Sequence, residues 1–309
     1  MENRIYMYDN AKNRQMMSFI ITTKDGKVIV IDGGYDEDAE KLLKNLRQIT
    51  GGDRPHIDAW FLSHAHEDHI NALANLLENH CEDFTCDGYY YCFPSVQYVE
   101  KYEHGSTVTI SRFYANLPKI ASVANVVSAG DLYRIGDASF EILQTYDDTN
   151  TEDIVNNSST VIRMTLGEKT VLFLGDLGAR GGERLVARLK DSLKSDICQP
   201  AHHGQDGAER PVFYKETKPQ PLLAKRERWI ADGKDRLGGS GRKFGGEFSL
   251  GHKSDLRTVG GTEGNDDKIA LPHLAAQRGR DMIVKTAVKT IRMIQKINAR
   301  VFHQNPSFR

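Results

Sequence analysis

The sequence predicts an α/β fold in which two mixed β-sheets pack face to face with helices on their outer sides. Apolar segments of strand length come in paired runs, and a segment with helical spacing follows most of these pairs. This order of elements is typical of layered sheets covered by helices. Histidines and aspartates stand directly after several strands, which is where α/β proteins collect their ligands.

The first half of the predicted fold begins with a strand pair. "SFIITTKDGKVIVIDGG" (18–34) contains two apolar runs separated by a Lys-Asp-Gly turn, which predicts a hairpin. Residues 36–50 place apolar side chains at helical spacing. Residues 57–63 form an apolar strand, and residues 70–80 return to helical spacing. The turn between this strand and this helix therefore lies at the carboxyl end of the strand.

The second half repeats the alternation less regularly. The aromatic segment 87–99 is strand-like, and residues 108–125 favour a helix, although Pro118 weakens that prediction. Two hairpins with glycine turns follow, and the second ends in "VLFLGD". A helix over 181–193 and a short strand that leads to a pair of histidines complete this part.

A change in composition divides the chain near residue 220. Residues 1–220 carry 23 Lys and Arg against 33 Asp and Glu, whereas residues 221–309 carry 18 against 9. The second part is also rich in glycine, and residues 283–302 have the spacing of an amphipathic helix with five cations on one side. We therefore predict one domain over 1–220, which contains all the strand-and-helix pairs described above, and a basic region of unclear fold over 221–309. The terminal helix is expected to dock on the body of the protein, with an anionic membrane surface or nucleic-acid phosphates as alternatives.

The composition is that of a soluble protein. Hydrophobic residues make up 39% of the chain, and no apolar run approaches the ~20 residues that span a bilayer. Four cysteines in 309 residues do not make a disulfide framework, which favours a reducing, cytoplasmic setting. The N-terminus has no apolar segment of signal-peptide length.

Potential metal ligands are concentrated in "FLSHAHEDHINAL" (61–73) and at two later strand ends. If the strands are neighbours, these side chains converge on one rim of the sheets. Imidazole and carboxylate together suit zinc, iron or manganese. The candidate metal ligands are His64, His66, Asp68, His69, Asp176 and His203.

The motif "HAHEDH" resembles the His-x-His-x-Asp-His signature of the metallo-β-lactamase superfamily. The flanking segments "VIVIDGG" and "VLFLGD" and a late histidine stand in the same order as in that family. The resemblance implies a four-layered αβ/βα sandwich over roughly residues 16–210. The segments "NNSSTVIRM" and "DICQPAHHG" are most similar to one branch, which includes the hydrolase domain of bacterial competence proteins and the phosphorylcholine esterases.

The resemblance also implies a role for each candidate ligand. His64 and His66 would hold a first divalent cation, whereas Asp68, His69 and His203 would hold a second. Asp176 would bridge the two ions, which are expected to be zinc, with manganese or iron as alternatives. No histidine stands between residues 105 and 201, so the first ion lacks the usual third histidine. The same absence is typical of the branch.

Four further residues are candidates for the site. His202 is assigned to catalysis and substrate binding, where its imidazole would bond a substrate oxygen or protonate the leaving group. Asp32 is expected to accept a hydrogen bond from a metal-binding histidine or its loop. Asn157 and Ser159 are candidate substrate contacts or, alternatively, turn residues at a strand entry.

These assignments predict a metal-dependent hydrolase that attacks with a hydroxide activated by two metal ions. A phosphodiester is the favoured substrate, in a small molecule or in nucleic acid, although the acidic charge of residues 1–220 argues against a long nucleic-acid track. One alternative is a hydrolase of carboxylic esters, thioesters or lactones. Another is a metal-stabilised binding module without catalysis.

Overall fold

The computed structural model describes residues 2–12 and 14–204, together with the backbone of 246–249. In chain order, the strands are β1 (Arg4–Met7), β2 (Ser18–Thr22), β3 (Val28–Asp32), β4 (His56–Ile57), β5 (Ala59–Phe61), β6 (Thr85–Cys86), β7 (Tyr89–Tyr91), β8 (Ala124–Val126), β9 (Leu132–Ile135), β10 (Ala138–Gln144), β11 (Val161–Leu166), β12 (Lys169–Phe173), β13 (Ile197–Gln199) and β14 (Gly246–Ser249). The helices are α1 (Ala39–Thr50), α2 (Glu67–Asn79), α3 (Val96–Tyr102), α4 (Thr107–Ile120), α5 (Ile154–Asn157) and α6 (Ala179–Leu189).

The strands form two large mixed sheets. The first has seven strands in the order β14-β1-β2-β3-β5-β7-β8, and β3, β5, β7 and β8 run parallel to one another. The second has five strands in the order β13-β12-β11-β10-β9, of which β12 and β13 are parallel and the other neighbours antiparallel. Strands β4 and β6 make a separate small pair.

The apolar side chains show a structure of four layers, in which the two sheets pack against each other and helices cover their outer faces. Alternate residues of each strand point to opposite faces, so each sheet buries two apolar surfaces. Between the sheets, Phe61 stacks on Phe140 with ring centroids 4.6 Å apart. Truncating such a buried phenylalanine to alanine typically costs about 3–5 kcal/mol of stability.

The outer face of each sheet is covered by helices. Trp60 and Leu62 of the first sheet pack with apolar side chains of α1, α2 and α4. Leu172 on the outer face of the second sheet packs with Leu185 of α6. The order helix, sheet, sheet, helix confirms the predicted αβ/βα sandwich.

Most predicted elements are present, with differences at their ends. Helix α2 begins at Glu67, three residues before the predicted start, because the extended backbone of His66 already serves as its N-cap. The predicted helix over 108–125 is α4, which ends at Ile120 and contains Pro118 in its last turn. Only three residues of the aromatic segment 87–99 form a strand, since α3 begins there at Val96.

The predicted C-terminal region lies outside the described residues, apart from one strand. Strand β14 pairs antiparallel with β1 at the edge of the seven-stranded sheet, which the sequence did not predict. The proposed amphipathic helix over 283–302 is not described. Among the helices of the described residues, none has the length and apolarity to cross a lipid bilayer.

Candidate metal centre

The candidate ligands follow strands whose carboxyl ends meet at one edge of the sandwich. Strands β3 and β5 are parallel neighbours in the first sheet, and β12 and β13 are parallel neighbours in the second. Asp32 ends β3, and the histidine turn follows β5. Asp176 follows β12, and the histidine pair 202–203 follows β13. The topology thus brings together residues that lie more than 130 positions apart in the chain.

One group of potential ligands joins both sheets. It consists of Asp68, His69, Asp176 and His203, whose ligand atoms all lie within 4.8 Å of one another. His203 Nε2 is 2.9 Å from Asp68 Oδ2 and 3.4 Å from Asp176 Oδ2. His69 Nε2 is 3.2 Å from Asp176 Oδ1. Two imidazoles and two carboxylates at such distances form a donor set that suits zinc, iron or manganese.

A second group lies next to the first and shares Asp176 with it. His64, His66 and Asp176 place their ligand atoms within 4.8 Å of one another. His64 Nε2 is 3.1 Å from His66 Nδ1 and 3.9 Å from Asp176 Oδ2. Since Asp176 Oδ2 also faces His203, this carboxylate stands between the two groups.

The residues present fit divalent cations, because two buried polar atoms have no other partner. His69 Nε2 and Asp176 Oδ1 are buried without a hydrogen-bond partner in the described part of the chain. His69 Nδ1 lies 2.7 Å from Asp32 Oδ2, so Nδ1 carries a proton towards Asp32 and Nε2 is the nitrogen that faces Asp176. A lone pair that faces a carboxylate oxygen at 3.2 Å is unfavourable unless a proton or a cation lies between them.

Asp32 holds the base of the histidine turn. Besides His69, its carboxylate accepts hydrogen bonds from the backbone N–H and the hydroxyl of Ser63, both at 2.7 Å. Its own backbone has φ = 54°, in the left-handed region that non-glycine residues rarely adopt. Such a conformation costs of order 1–3 kcal/mol and persists where surrounding contacts enforce it. His202 and His203 share this feature, with φ values of 49° and 56°.

The buried histidines and carboxylates of the site shift one another's pKa values. Burial alone would lower the pKa of His69, but the carboxylates of Asp176 and Asp68 outweigh it and hold this pKa well above its usual value. Burial opposes the charge of Asp176, yet His69 and His203 keep its pKa well below the usual range. Burial and the neighbouring His69 hold the pKa of His64 well below its usual value, so that ring is neutral and can act as a ligand.

Metal binding is expected to depend steeply on pH. Burial lowers the pKa of His203, but the nearby Asp176 and Asp68 carboxylates raise it to about 9. At pH 7 the metal-free imidazole is therefore protonated, and a cation must displace that proton. Between pH 7 and 8 the apparent affinity should rise up to about tenfold per displaced proton. Calorimetric titration with Mn²⁺ in buffers of different ionisation enthalpy measures the protons released. A binding enthalpy that is the same in all buffers would contradict this expectation.

His202 stands beside the two ligand groups without belonging to either of them among the described residues. Its Nε2 is 3.8 Å from Asp176 Oδ2, and its side chain is 33% exposed. Its backbone N–H donates to the carbonyl oxygen of Gly175, which fixes the turn. The imidazole is therefore close to the potential ligands and still accessible to a bound molecule.

Asn157 and Ser159 are buried and bonded to the protein itself. Asn157 Oδ1 accepts the N–H of Gly181 in the first turn of α6, at 2.8 Å. Ser159 Oγ accepts the N–H of Asp176 at 3.1 Å. These contacts favour the alternative that both are turn residues, and Ser159 in addition holds the backbone of the shared carboxylate.

Sequence reasoning missed three residues around the histidine turn. Ser63 bonds Asp32 and also lies 3.0 Å from His64 Nδ1. Its place between an apolar strand and His64 is a signal that could have identified it. Glu103 and Ser106 contact the outer side of His66, at 3.3 and 3.2 Å. They follow α3 and have no sequence spacing that relates them to the motif.

Comparisons with known proteins find one family model and two relatives by sequence. The family model described as the metallo-β-lactamase superfamily matches residues 13–80. ComE operon protein 3 of Bacillus subtilis is 26% identical over 194 residues, which cover 60% of this chain and 21% of that protein. Competence protein ComA of Neisseria gonorrhoeae is 32% identical over 85 residues, which cover 28% of this chain and 12% of that protein. The chain thus spans about a fifth of the first relative and about an eighth of the second.

Solved structures with some likeness to the chain carry related names. A metallo-β-lactamase with an HARLDQ motif from Cronobacter sakazakii has a TM-score of 0.41 and 16% identity, and the match covers 62% of this chain and 75% of that one. The metallo-β-lactamase fold protein YhfI from Bacillus subtilis has a TM-score of 0.43 and 15% identity, and the match covers 72% and 85%. Scores of this size add nothing about the site.

Proposed function

We propose that this protein is a metal-dependent hydrolase that favours phosphodiester substrates. Its resemblance to the metallo-β-lactamase superfamily is confirmed by a family model and by two relatives found by sequence. The observation that carries the proposal is the pair of adjacent ligand groups that share the buried carboxylate of Asp176. Shared carboxylates of this kind are typical of sites that hold two divalent cations, with zinc the first candidate and manganese or iron the alternatives.

Each ion would be held by its own group of side chains, with Asp176 common to both groups. His64, His66 and Asp176 are the proposed ligands of the first ion. Asp68, His69, His203 and Asp176 are those of the second. When bound, two such cations supply an activated water and neutralise charge that develops on a substrate oxygen. Asp32 and Ser63 keep His69 and the turn in place for this task.

His202 is the proposed proton donor. Its imidazole reaches the opening of the site without being needed as a ligand, so it can donate a hydrogen bond from Nε2 to a phosphoryl oxygen. The same nitrogen can give its proton to the leaving group as the ester bond breaks. Asn157 and Ser159, which the sequence offered as substrate contacts, are proposed instead to position α6 and Asp176.

The preference for phosphodiesters rests on the resemblance to the competence-protein branch and on the reduced ligand set of the first ion. The two relatives found by sequence are named ComE operon protein 3 and competence protein ComA. Carboxylic esters, thioesters and lactones are the alternative substrates, because the same ion pair can act on a carbonyl group. Nucleic acid is not favoured, since residues 1–220 carry ten more acidic than basic side chains, 33 against 23.

Substrate preference is testable with a phosphodiester and a lactone panel. Purified protein stripped of metal should be inactive, and added Zn²⁺ or Mn²⁺ should restore hydrolysis of bis(p-nitrophenyl) phosphate. Turnover of lactones or thioesters without diester hydrolysis would replace the proposal with the carbonyl alternative. Two bound ions with no hydrolysis of either class would favour a metal-stabilised binding module.

The compartment stays a prediction. All four cysteines belong to the described residues and are free thiols. This is compatible with the reducing, cytoplasmic setting proposed from the sequence.

A further inference from the structure

We infer that Glu103 is a positioning residue for the first metal ion and acts by holding His66. Glu103 follows the last residue of α3 and lies 37 positions from His66 in the chain. Its Oε1 is 3.3 Å from His66 Nε2, and the hydroxyl of Ser106 is 3.2 Å from the same nitrogen. The inference rests on the proposed function, because it concerns an ion that His66 would bind.

The two nitrogens of the His66 ring face different partners. Nδ1 faces inward and lies 3.1 Å from His64 Nε2, within the ligand group that includes Asp176. Nε2 faces outward to the Glu103 carboxylate. A carboxylate accepts but cannot donate, so it fixes the ring proton on Nε2 and leaves the lone pair of Nδ1 for a cation. Asp32 bonds His69 Nδ1 in the corresponding way, so a carboxylate would orient one histidine of each ion.

Glu103 is itself held in place by two further contacts. Its Oε2 accepts the backbone N–H of Val155 in α5 at 3.1 Å. Ser106 Oγ donates to its Oε1 at 2.8 Å. The Glu103 side chain is three-quarters buried, and it connects the histidine turn with the segment that precedes β11. A side chain that is fixed at both oxygens can restrict the rotation of the imidazole that it bonds.

The first ion is where such support has the largest effect. Its proposed group has three ligands, whereas the group of the second ion has four. Of the six ligand side chains, that of His66 is the most exposed, at 23%. His64 and His69, in contrast, are fully buried, and their Nδ1 atoms contact Ser63 and Asp32, respectively. Without Glu103, His66 would keep its contacts with the Ser106 hydroxyl and with His64, neither of which fixes the ring proton on Nε2 as a carboxylate does.

Loss of the Glu103 carboxylate should therefore weaken the binding of the first ion and leave the binding of the second unchanged. Glu103→Ala is expected to lower the affinity for the first ion about 10- to 100-fold, the usual effect of removing an outer partner of a ligand. The affinity for the second ion should not change. Glu103→Gln keeps an oxygen that can accept from His66 Nε2, so it should restore part of the loss. Glu100→Ala is the matched control, since this exposed carboxylate of α3 pairs with His104 away from the site.

The measurement is a titration of metal-stripped protein with Co²⁺, followed by the absorption of the bound ion and by calorimetry. Thermal unfolding of the metal-free variants establishes that each is folded. Two ions in the wild type with one selectively weakened in Glu103→Ala would support the inference. If Glu103→Ala binds both ions with unchanged affinity, or binds both equally more weakly, the inference about Glu103 is wrong and the proposed function still stands. A wild type that does not bind two ions would overturn the proposed function together with it.

Discussion

Replacing Asp176 with asparagine is expected to eliminate binding of two ions and to lower hydrolysis about 10³-fold or more. Asp176 is the only residue that the two adjacent ligand groups have in common, so its loss affects both ions. Asparagine keeps the volume of the side chain and removes the charge. The remaining ligands of the first ion would be the imidazoles of His64 and His66, and two ligands are too few for a stable site.

Asp176→Asn should also lower the stability of the metal-free protein. Asp176 is 1% exposed and faces His69 and His203, whose protonated rings it compensates. Removing one partner from buried charges typically costs about 3–5 kcal/mol, so the melting temperature should fall as well. Circular dichroism separates this loss of stability from loss of the fold, and elemental analysis counts the bound ions.

Asp196→Asn is the control for Asp176→Asn. Asp196 also lies next to a strand of the second sheet, but its carboxylate bonds Thr170 and Lys169 away from the ligand groups. The Asp196→Asn variant should bind both ions and retain full turnover. Retention of two ions by Asp176→Asn would contradict the assignment of this carboxylate as the shared ligand.

The adjacent residues His202 and His203 are expected to fail in different ways when replaced by alanine. His203→Ala should lose the second ion, because Nε2 of His203 lies 2.9 Å from Asp68 and its side chain is 6% exposed. His202→Ala should keep both ions and lose about 10²- to 10⁴-fold in turnover, the usual range for a proton donor. Each variant serves as the control for the other, since both remove an imidazole from the same left-handed turn.

Metal content and turnover, measured on the same preparations, distinguish the two roles. The assignment also predicts that a substrate with a good leaving group, such as a nitrophenyl ester, is less sensitive to His202→Ala than an alkyl ester. If His202→Ala loses metal and His203→Ala keeps it, the two assignments are exchanged. If both variants keep metal and full turnover, neither assignment stands.

The predictable part of the site consists of residues that follow strands. His64, His66 and Asp176 could be found from sequence because apolar runs end just before them, and parallel neighbours bring such ends together. The four layers were predictable for a similar reason, since strand pairs and helices alternate along the chain. The positions of the candidate ligands could thus be predicted from local patterns and one rule of topology.

The remaining features depend on contacts that no local pattern encodes. Glu103 reaches His66 from the end of another helix, and no periodicity connects the two residues. Helix α3 was missed because its aromatic residues favour a strand, although Ser95 accepts the N–H of Tyr98 and so caps the helix. The buried environments of Asn157 and Ser159 likewise follow from packing against α6 and Asp176.

The proposed ligands of the second ion come from both halves of the sandwich: Asp68 and His69 from α2, which follows β5 of the first sheet, and Asp176 and His203 from the segments that follow β12 and β13 of the second. A cation held there would act as a cross-link between positions 135 residues apart. Closing a loop of that size with a covalent bond restricts the unfolded chain by about 5 kcal/mol in the chain-entropy model. A coordinated ion would restrain the chain in the same sense for as long as it stays bound. The chemistry that serves hydrolysis would thus also fasten the two sheets together at one rim, and scarcity of metal would act on the lifetime of the folded protein as well as on its turnover.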